Sequence, residues 1–599
     1  MKTLSKTFIW KKKLGKKINA ALVFVSAILS QQANVQASME QHTVPSANKV
    51  NSDLVEQIIL SMSDKEKIGQ LVMPSTRYNH TSISDENTRK LIQEYHIGSV
   101  IHYGKANAES IAIFNNQLQK WASETRLKIP LLISADLEYG TSQHVTDGTD
   151  FPRQMAIGAT RDLGTAEQIA KITAIESKAI GFNWNYSPLA DVNTNPANPV
   201  IGVRSFGEKT ELVSQMTVAQ IKGYQQNGLL ATAKHFPGHG DTSVDSHLGL
   251  AAVTYDRRTL EKTHLPPFQA AIAAGVDSIM TAHVIIKAID PKLPATLSKK
   301  VLTDLLRKKM GYNGIIVTDS MSMDAIDKHW GAGQAAIMAI NAGADIVMAT
   351  GSYKHQLETY NALYHAYKSG KLTKKRVNES LDRILSAKVK YDLFHHRYVD
   401  PANAAKVVNN PAHKKAAAEA AKKSITLLKN DGVLPFNTKD DKATTLVVGP
   451  KIYGSTKYIE AIAKSVADKA SGKVLRSITS DNPTSAEIVK VSNLAKQANR
   501  IIVSTNSTST LSHGQLKLVG ALQSCGKPIV VLSLGLPYDI KNFPAVRAYI
   551  ASYSIDRWGS PVPSTWNAAI DVLFGSKKGE GTLPVTIKGL YKFGDGLRY

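Results

Sequence analysis

The sequence predicts a (β/α)8 barrel followed by a smaller α/β/α sandwich domain. Three observations carry this expectation. The chain has 599 residues, more than one hydrophobic core usually organises. Eight short apolar runs rich in β-formers alternate with helical segments between residues 71 and 350. A second and shorter alternation follows a polar, proline-punctuated stretch. An open doubly wound sheet is the competing architecture for the first alternation.

The elements follow in chain order. The first 37 residues hold seven lysines and no acid, then the apolar run Ile18 to Leu29, then "VQA" at Val35 to Ala37. This pattern reads as a secretory signal peptide, with residues 38–52 as an N-terminal linker. The apolar run is too short to span a bilayer comfortably, so no stable membrane anchor is expected, although a retained anchor is the alternative. Residues 53–400 are assigned to the barrel. Its strand candidates are "LVMP" (71–74), "IGSVIH" (97–102), "IPLLISAD" (129–136), "FNWNYSP" (182–188), "LLATAKHF" (229–236), "DSIMTAH" (277–283), "GIIVTDS" (314–320) and "ADIVMAT" (344–350). Intervening segments such as "AEQIAKITAIESKAIG" have helical spacing and end in a glycine suited to a helix C-cap. Residues 401–416 read as a linker and 417–599 as the sandwich, with strand candidates "TTLVVGP", "RIIVSTNS", "KPIVVLSLG" and "VRAYIASYS".

Charge and cysteine content narrow the setting. The formal charge is +24, and loss of the seven N-terminal lysines leaves +17 spread along the chain. That balance favours an anionic environment. Zinc-finger spacing, RNA-binding aromatic signatures and a concentrated basic helix are all missing, so no nucleic-acid partner is expected. Anionic cell-wall polymer fits better, with a secreted, extracellular or wall-associated protein of a Gram-positive type of bacterium. The single cysteine, Cys525, cannot form an intramolecular disulfide and is too far along the chain to carry an N-terminal lipid. It reads as a buried small apolar residue.

The chemistry concentrates at strand ends. In a (β/α)8 barrel the active site gathers at the C-terminal ends of the strands. Asp136, Lys234, His235, His283 and Asp319 each fall at such an end. In "GIIVTDSMSM" a fully apolar strand delivers Asp319 to the barrel mouth, a good position for a nucleophile. The stretch "KHFPGHGDTSVDSH" (234–247) then raises two alternatives. His235, His239, His247, Asp241 and Asp245 offer enough donors for a transition metal. Alternatively, Asp245, two residues before His247, holds one imidazole nitrogen while the other faces a substrate. His239 and the "PGHG" turn also have a purely structural reading.

Together, "KHFPGHGDTSVDSH", "NPVIGVRSFG" (198–207), "FNWNYSPLADVN" and "IIVTDSM" resemble glycoside hydrolase family 3 in its β-N-acetylglucosaminidase branch. "SITLLKNDGVLPF", "LPYDI" and "GEGTLPVTI" extend the resemblance into the second domain. The resemblance implies retaining hydrolysis of terminal β-N-acetylglucosamine through a glycosyl-enzyme. It gives Asp319 as nucleophile, His247 as acid/base and Asp245 as its orienting partner. It also implies that Asp136, Arg204, Lys234 and His235 bind sugar hydroxyls, and that neither metal nor cofactor is required. The implied substrates are amino-sugar glycans such as muropeptides or chitooligosaccharides. A histidine can replace the usual second carboxylate because its proton is available near neutral pH.

One departure stands out. The family pattern after the strand-three aspartate carries glycines and then an arginine, whereas here "DLEYGTSQHV" places Tyr139 and His144. A charged sugar contact is weakened if His144 takes the arginine position. Three other functions remain consistent with the sequence: a β-glucosidase-type exo-glycosidase of the same family, whose acid/base glutamate comes from the second domain; a glycoside phosphorylase; and a wall-binding protein with an inactive barrel.

The expected location gives a first test. The protein should begin at Ser38 after processing and be held on the wall by charge. High salt should strip it off, because attraction between exposed charges is screened within about 10 Å at 0.1 M salt. Release by detergent alone, with residues 1–37 still attached, would contradict this.

Overall fold

The computed structural model describes residues 47–77, 86–408, 410–440, 442–558 and 561–598. The expected signal segment 1–37 and the first part of the linker, 38–46, lie outside the described residues. Among the described residues, no helix is long and apolar enough to cross a membrane.

The described residues of the first part of the chain form ten strands in order: β1 (Val72–Arg77), β2 (Ser99–Tyr103), β3 (Leu132–Ala135), β4 (Trp184–Asn185), β5 (Leu230–Phe236), β6 (Ala251–Val253), β7 (Ser278–Thr281), β8 (Val284–Ile286), β9 (Ile315–Val317) and β10 (Val347–Ala349). Eight of them form one parallel sheet in the order β10-β1-β2-β3-β4-β5-β7-β9. A parallel bridge between Val317 and Ile346 brings β9 back to the residue preceding β10, so the sheet closes into a barrel. This rules out the open doubly wound sheet. Each of the eight apolar runs read from the sequence overlaps one barrel strand. The runs are apolar on both faces because helices cover the outside and side chains fill the inside; β3, β5, β7, β9 and β10 are buried throughout. The three-residue strands β6 and β8 pair with each other outside the barrel and were too short to be read from the sequence.

The two ends of the barrel differ in chemistry. Just before β10, the buried carboxylate of Asp345 accepts hydrogen bonds from Arg307, Arg376, Arg383 and Ser380. This ties flanking helices to the N-terminal end of the strands, where barrels carry stability rather than catalysis. The opposite end holds the cavity described below.

Residues 401–416, read as a linker, are largely helical: Pro401–Val408 forms one helix and Pro411–Ser424 the next, each opened by a proline where the missing N–H costs nothing. Among its described residues the second domain has six strands: β11 (Thr426–Asn430), β12 (Thr445–Pro450), β13 (Val474–Thr479), β14 (Arg500–Thr505), β15 (Ile529–Ser533) and β16 (Ala548–Ala551). Their order is β11-β16-β15-β14-β12-β13, parallel except for β11. The four runs expected from sequence are β12, β14, β15 and β16. β11 follows directly on an Ala/Lys-rich helix, and the edge strand β13 is only partly buried, so neither gave a clear apolar signal.

One core of the sandwich continues into the barrel: Leu536, Tyr538 and Tyr553 cluster with Met155, Ala159 and Val203. This packing brings the loop after β16 to the mouth of the barrel. There the buried pair Arg153–Asp556, at 3.0 Å, joins the two domains.

Candidate active site

At the C-terminal ends of the barrel strands lies a cavity of about 320 Å³. Asp136, Arg204, Lys234, His235, His247 and Asp319 all line it. Its volume falls at the small end of the range typical of ligand pockets. Asp245 stands behind His247, so these seven residues lie together, whereas His283, also singled out at a strand end, does not line the cavity.

One wall is a chain of alternating charges. Lys234 is 2% exposed, and its Nζ donates to Asp136 Oδ1 at 2.7 Å and meets Glu138 Oε1 at 2.8 Å. Arg204 grips the same glutamate with two donors, Nη2 to Oε1 at 2.6 Å and Nε to Oε2 at 2.9 Å. Burial alone would raise the Glu138 carboxyl, but Arg204 and Lys234 outweigh it and hold it well below the usual carboxylate range. Burial likewise disfavours the Lys234 ammonium, and Asp136 and Glu138 more than restore it. Asp136 keeps a partly exposed face toward the cavity. Glu138 was not singled out from the sequence; its position two residues beyond Asp136, at the end of an apolar strand, was the available signal.

Adjacent residues of a regular strand point to opposite faces, yet Lys234 and His235 both line the cavity. The register between β5 and β7 breaks between Ala233 and Phe236, which allows this. The buried carboxylate of Asp191 then fixes the imidazole: Oδ2 accepts from His235 Nδ1 at 2.7 Å, and Oδ1 accepts from the His239 N–H at 2.6 Å. Asp191 therefore anchors the start of the long loop after β5.

That loop is held by polar contacts. Gly240 passes so close to Val192 that a Cβ would lie 1.8 Å from its carbonyl oxygen, so only glycine fits. His239 spans the loop, with Nδ1 2.9 Å from Thr242 Oγ1 and Nε2 2.9 Å from Ser246 Oγ. Burial pushes its imidazole down to about 4, which leaves it neutral. Asp245 Oδ1 accepts from both the N–H and Nδ1 of His247, each at 2.9 Å. Burial tends to raise the Asp245 carboxyl, but the bonds from His247 and Arg557 prevail and lower it. His239, His235 and His247 thus each have at least one ring nitrogen committed to a hydroxyl or a carboxylate of the scaffold. Among the described residues, no three His, Cys, Asp or Glu side chains are grouped to hold a metal ion.

Asp319 follows β9, and its Oδ1 accepts from the Ser320 N–H at 2.7 Å. Burial raises this carboxyl, and the neighbouring His235, His283 and His247 with the Ser320 N–H bring it down to about 2. It is ionised at neutral pH. His283 does not line the cavity; its Nε2 donates to the Ser320 carbonyl at 2.9 Å and its Nδ1 accepts from Thr296 at 2.7 Å. It supports the turn that carries Asp319. His144 lines the cavity, with Nδ1 donating to the Gly104 carbonyl at 2.9 Å. Burial pushes it down and keeps it neutral, so a neutral ring stands at this point of the wall.

The second domain also reaches the site. Asp556 and Trp558 line the cavity. The guanidinium groups of Arg204 and Arg557 lie over the Trp558 indole, 4.9 Å and 5.2 Å from its centroid, and the indole meets the His247 ring edge-on at 5.6 Å. Arg557 itself hydrogen-bonds to Asp245. Sequence reasoning missed these residues because only the domain packing places them near the barrel.

Residues 64–387 match the glycosyl hydrolase family 3 N-terminal domain, and residues 425–592 match its C-terminal domain. The chain belongs to glycosyl hydrolase family 3. Among relatives of this family 3 chain, beta-hexosaminidase A of Pseudoalteromonas piscicida is 31% identical over 83% of this chain and 90% of its own. A beta-N-acetylglucosaminidase/beta-glucosidase of Cellulomonas fimi is 29% identical over the same shares. The solved structure of a glycoside hydrolase family 3 beta-N-acetylglucosaminidase from Paenibacillus sp. str. FPU-7 superposes with a TM-score of 0.80 at 35% identity, covering 88% of this chain and 99% of that one. The protein is a glycoside hydrolase.

The hydrogen-bonded state of the loop histidines yields a prediction: dialysis against a strong chelator should leave glycosidase activity unchanged. Loss of activity that returns with added zinc would contradict it.

Proposed function

We propose that this family 3 enzyme removes terminal non-reducing β-linked N-acetylglucosamine with retention of configuration, through a glycosyl-enzyme on Asp319. His247 is its acid/base and Asp245 orients that imidazole. The observation that carries the reading is the pair of bonds from His247 to Asp245 Oδ1 in a cavity that an ionised Asp319 also lines. The bond at Nδ1 leaves Nε2 as the nitrogen that exchanges a proton with substrate.

In the first step a carboxylate oxygen of Asp319 attacks C1 and the bond from C1 to the leaving oxygen breaks. Nε2 of the protonated His247 delivers its proton to that oxygen. In the second step water attacks C1, Nε2 takes up a water proton, and the bond to Asp319 breaks to release the sugar. Asp245 stabilises the imidazolium before the first step and after the second. Asp136, Lys234, Arg204 and His235 hydrogen-bond the ring hydroxyls.

Two points support an amino-sugar substrate over a glucoside. Beta-hexosaminidase A and the Paenibacillus structure are named for hexosaminidase or N-acetylglucosaminidase activity alone, whereas the Cellulomonas fimi relative is named for both N-acetylglucosaminidase and beta-glucosidase activity. Among the described residues, no glutamate of the second domain lines the cavity, and the acid that does, Asp556, is paired with Arg153. Peptidoglycan fragments are the favoured natural substrate, given the basic chain and the expected export to the wall.

The two catalytic roles separate experimentally. Asp319→Ala should abolish turnover of every β-N-acetylglucosaminide. His247→Ala should lose about 10²- to 10⁴-fold on a glycan substrate, whose alcohol leaving group needs a proton. On a nitrophenyl substrate it should instead show a burst, then a slow step that azide accelerates with formation of a β-azide. Equal loss on both substrates, with no burst and no azide effect, would contradict the assignment of His247.

A further inference from the structure

We infer that Arg557 of the second domain is a positioning residue for the acid/base: it fixes Asp245 from outside the barrel, so that the Asp245–His247 pair is complete only when the two domains are docked. The inference rests on the reading of His247 given above.

The loop that carries the pair has little apolar anchorage where it matters. Val244 and Leu248, which flank it, are 47% and 70% exposed. His247 is itself 38% exposed in its side chain. Asp245 itself is buried, at 8% exposure, and both of its carboxylate oxygens are held by polar contacts. Oδ1 is committed to His247. Oδ2 accepts from Nη1 of Arg557, which also donates to the Pro199 carbonyl at 3.3 Å. A carboxylate held through both oxygens by partners on different chain segments keeps one orientation, and charge-assisted bonds of this kind are roughly twice as strong as neutral ones.

Arg557 lies in a run of three consecutive residues that each engage the barrel. Asp556 pairs with Arg153, Arg557 with Asp245, and Trp558 forms cavity wall against His247 and Arg204. Both of its neighbours line the cavity, whereas Arg557 does not. Its effect on the reaction therefore passes through Asp245, not through contact with substrate.

The test compares Arg557→Ala in the wild-type and His247→Ala backgrounds. Two N-acetylglucosaminides serve as probes, one with a dinitrophenyl and one with a sugar leaving group. The single variant should lose about 10- to 100-fold in the kcat for glycosidic cleavage of the sugar-leaving substrate, part of the 10²- to 10⁴-fold that general acid help contributes. Its KM should change little, and the burst in which the dinitrophenyl substrate forms the glycosyl-enzyme should be nearly unaffected. In the His247→Ala background, Arg557→Ala should add no further loss, because the group it positions is already gone. Equal loss on both substrates, no loss on either, or a full additive loss in the double variant would overturn the inference. If His247→Ala shows no leaving-group dependence, the acid/base reading fails, and the inference fails with it. If His247→Ala shows that dependence and Arg557→Ala does not, only the inference fails. Arg557→Gln, read in the same way, serves should the alanine variant not fold.

Discussion

A lysine buried to 2% exposure stays charged only if carboxylates surround it, and that requirement organises the site. Lys234 sits between Asp136 and Glu138, and Arg204 closes the other side of Glu138. The four groups come from the ends of β3 and β5 and the loop after β4, so neutralising the buried charges also sets the spacing of three barrel segments. Removing one partner would leave an uncompensated buried charge, which typically costs about 3–5 kcal/mol. The network is therefore both a support of the fold and one polar wall of the cavity.

The two groups assigned to bond making and breaking are held in different ways. Asp319 ends a fully buried strand, and its turn is fixed by the Ser320 N–H and by the bond of His283 to the Ser320 carbonyl. His247 rides on a loop whose order comes from hydrogen bonds: Asp191 at its start, His239 across its middle, Asp245 at its end. A nucleophile must meet one carbon atom, which suits a strand end. A group that first gives a proton and later takes one from water benefits from placement in a loop at the cavity mouth.

Much of this was legible in the sequence because barrel strands buried on both faces leave continuous apolar runs, and polar residues that interrupt the ends of such runs stand out. Asp136, Lys234, His235, His283 and Asp319 were singled out in that way, and all but His283 line the cavity. Asp245 and His247 were suggested by their spacing, but spacing alone left a metal cage open. The contacts of His239 with Thr242 and Ser246 show how that part of the loop is ordered, and they depend on three-dimensional folding. Arg557 and Trp558 carried no local signal, since their relevance arises from the packing of one domain on the other. The edge strand β13 and the short strands β6 and β8 were missed because partial burial or a length of three residues leaves no periodicity to read.

The most direct measurement of the central claim is the mass of the enzyme quenched in acid during turnover of a dinitrophenyl β-N-acetylglucosaminide by the His247→Ala variant, followed by peptide mapping. The account predicts a protein heavier by one N-acetylglucosamine residue, with the added mass on the peptide that contains Asp319. An unmodified protein throughout steady turnover, or a sugar attached to any other residue, would contradict it.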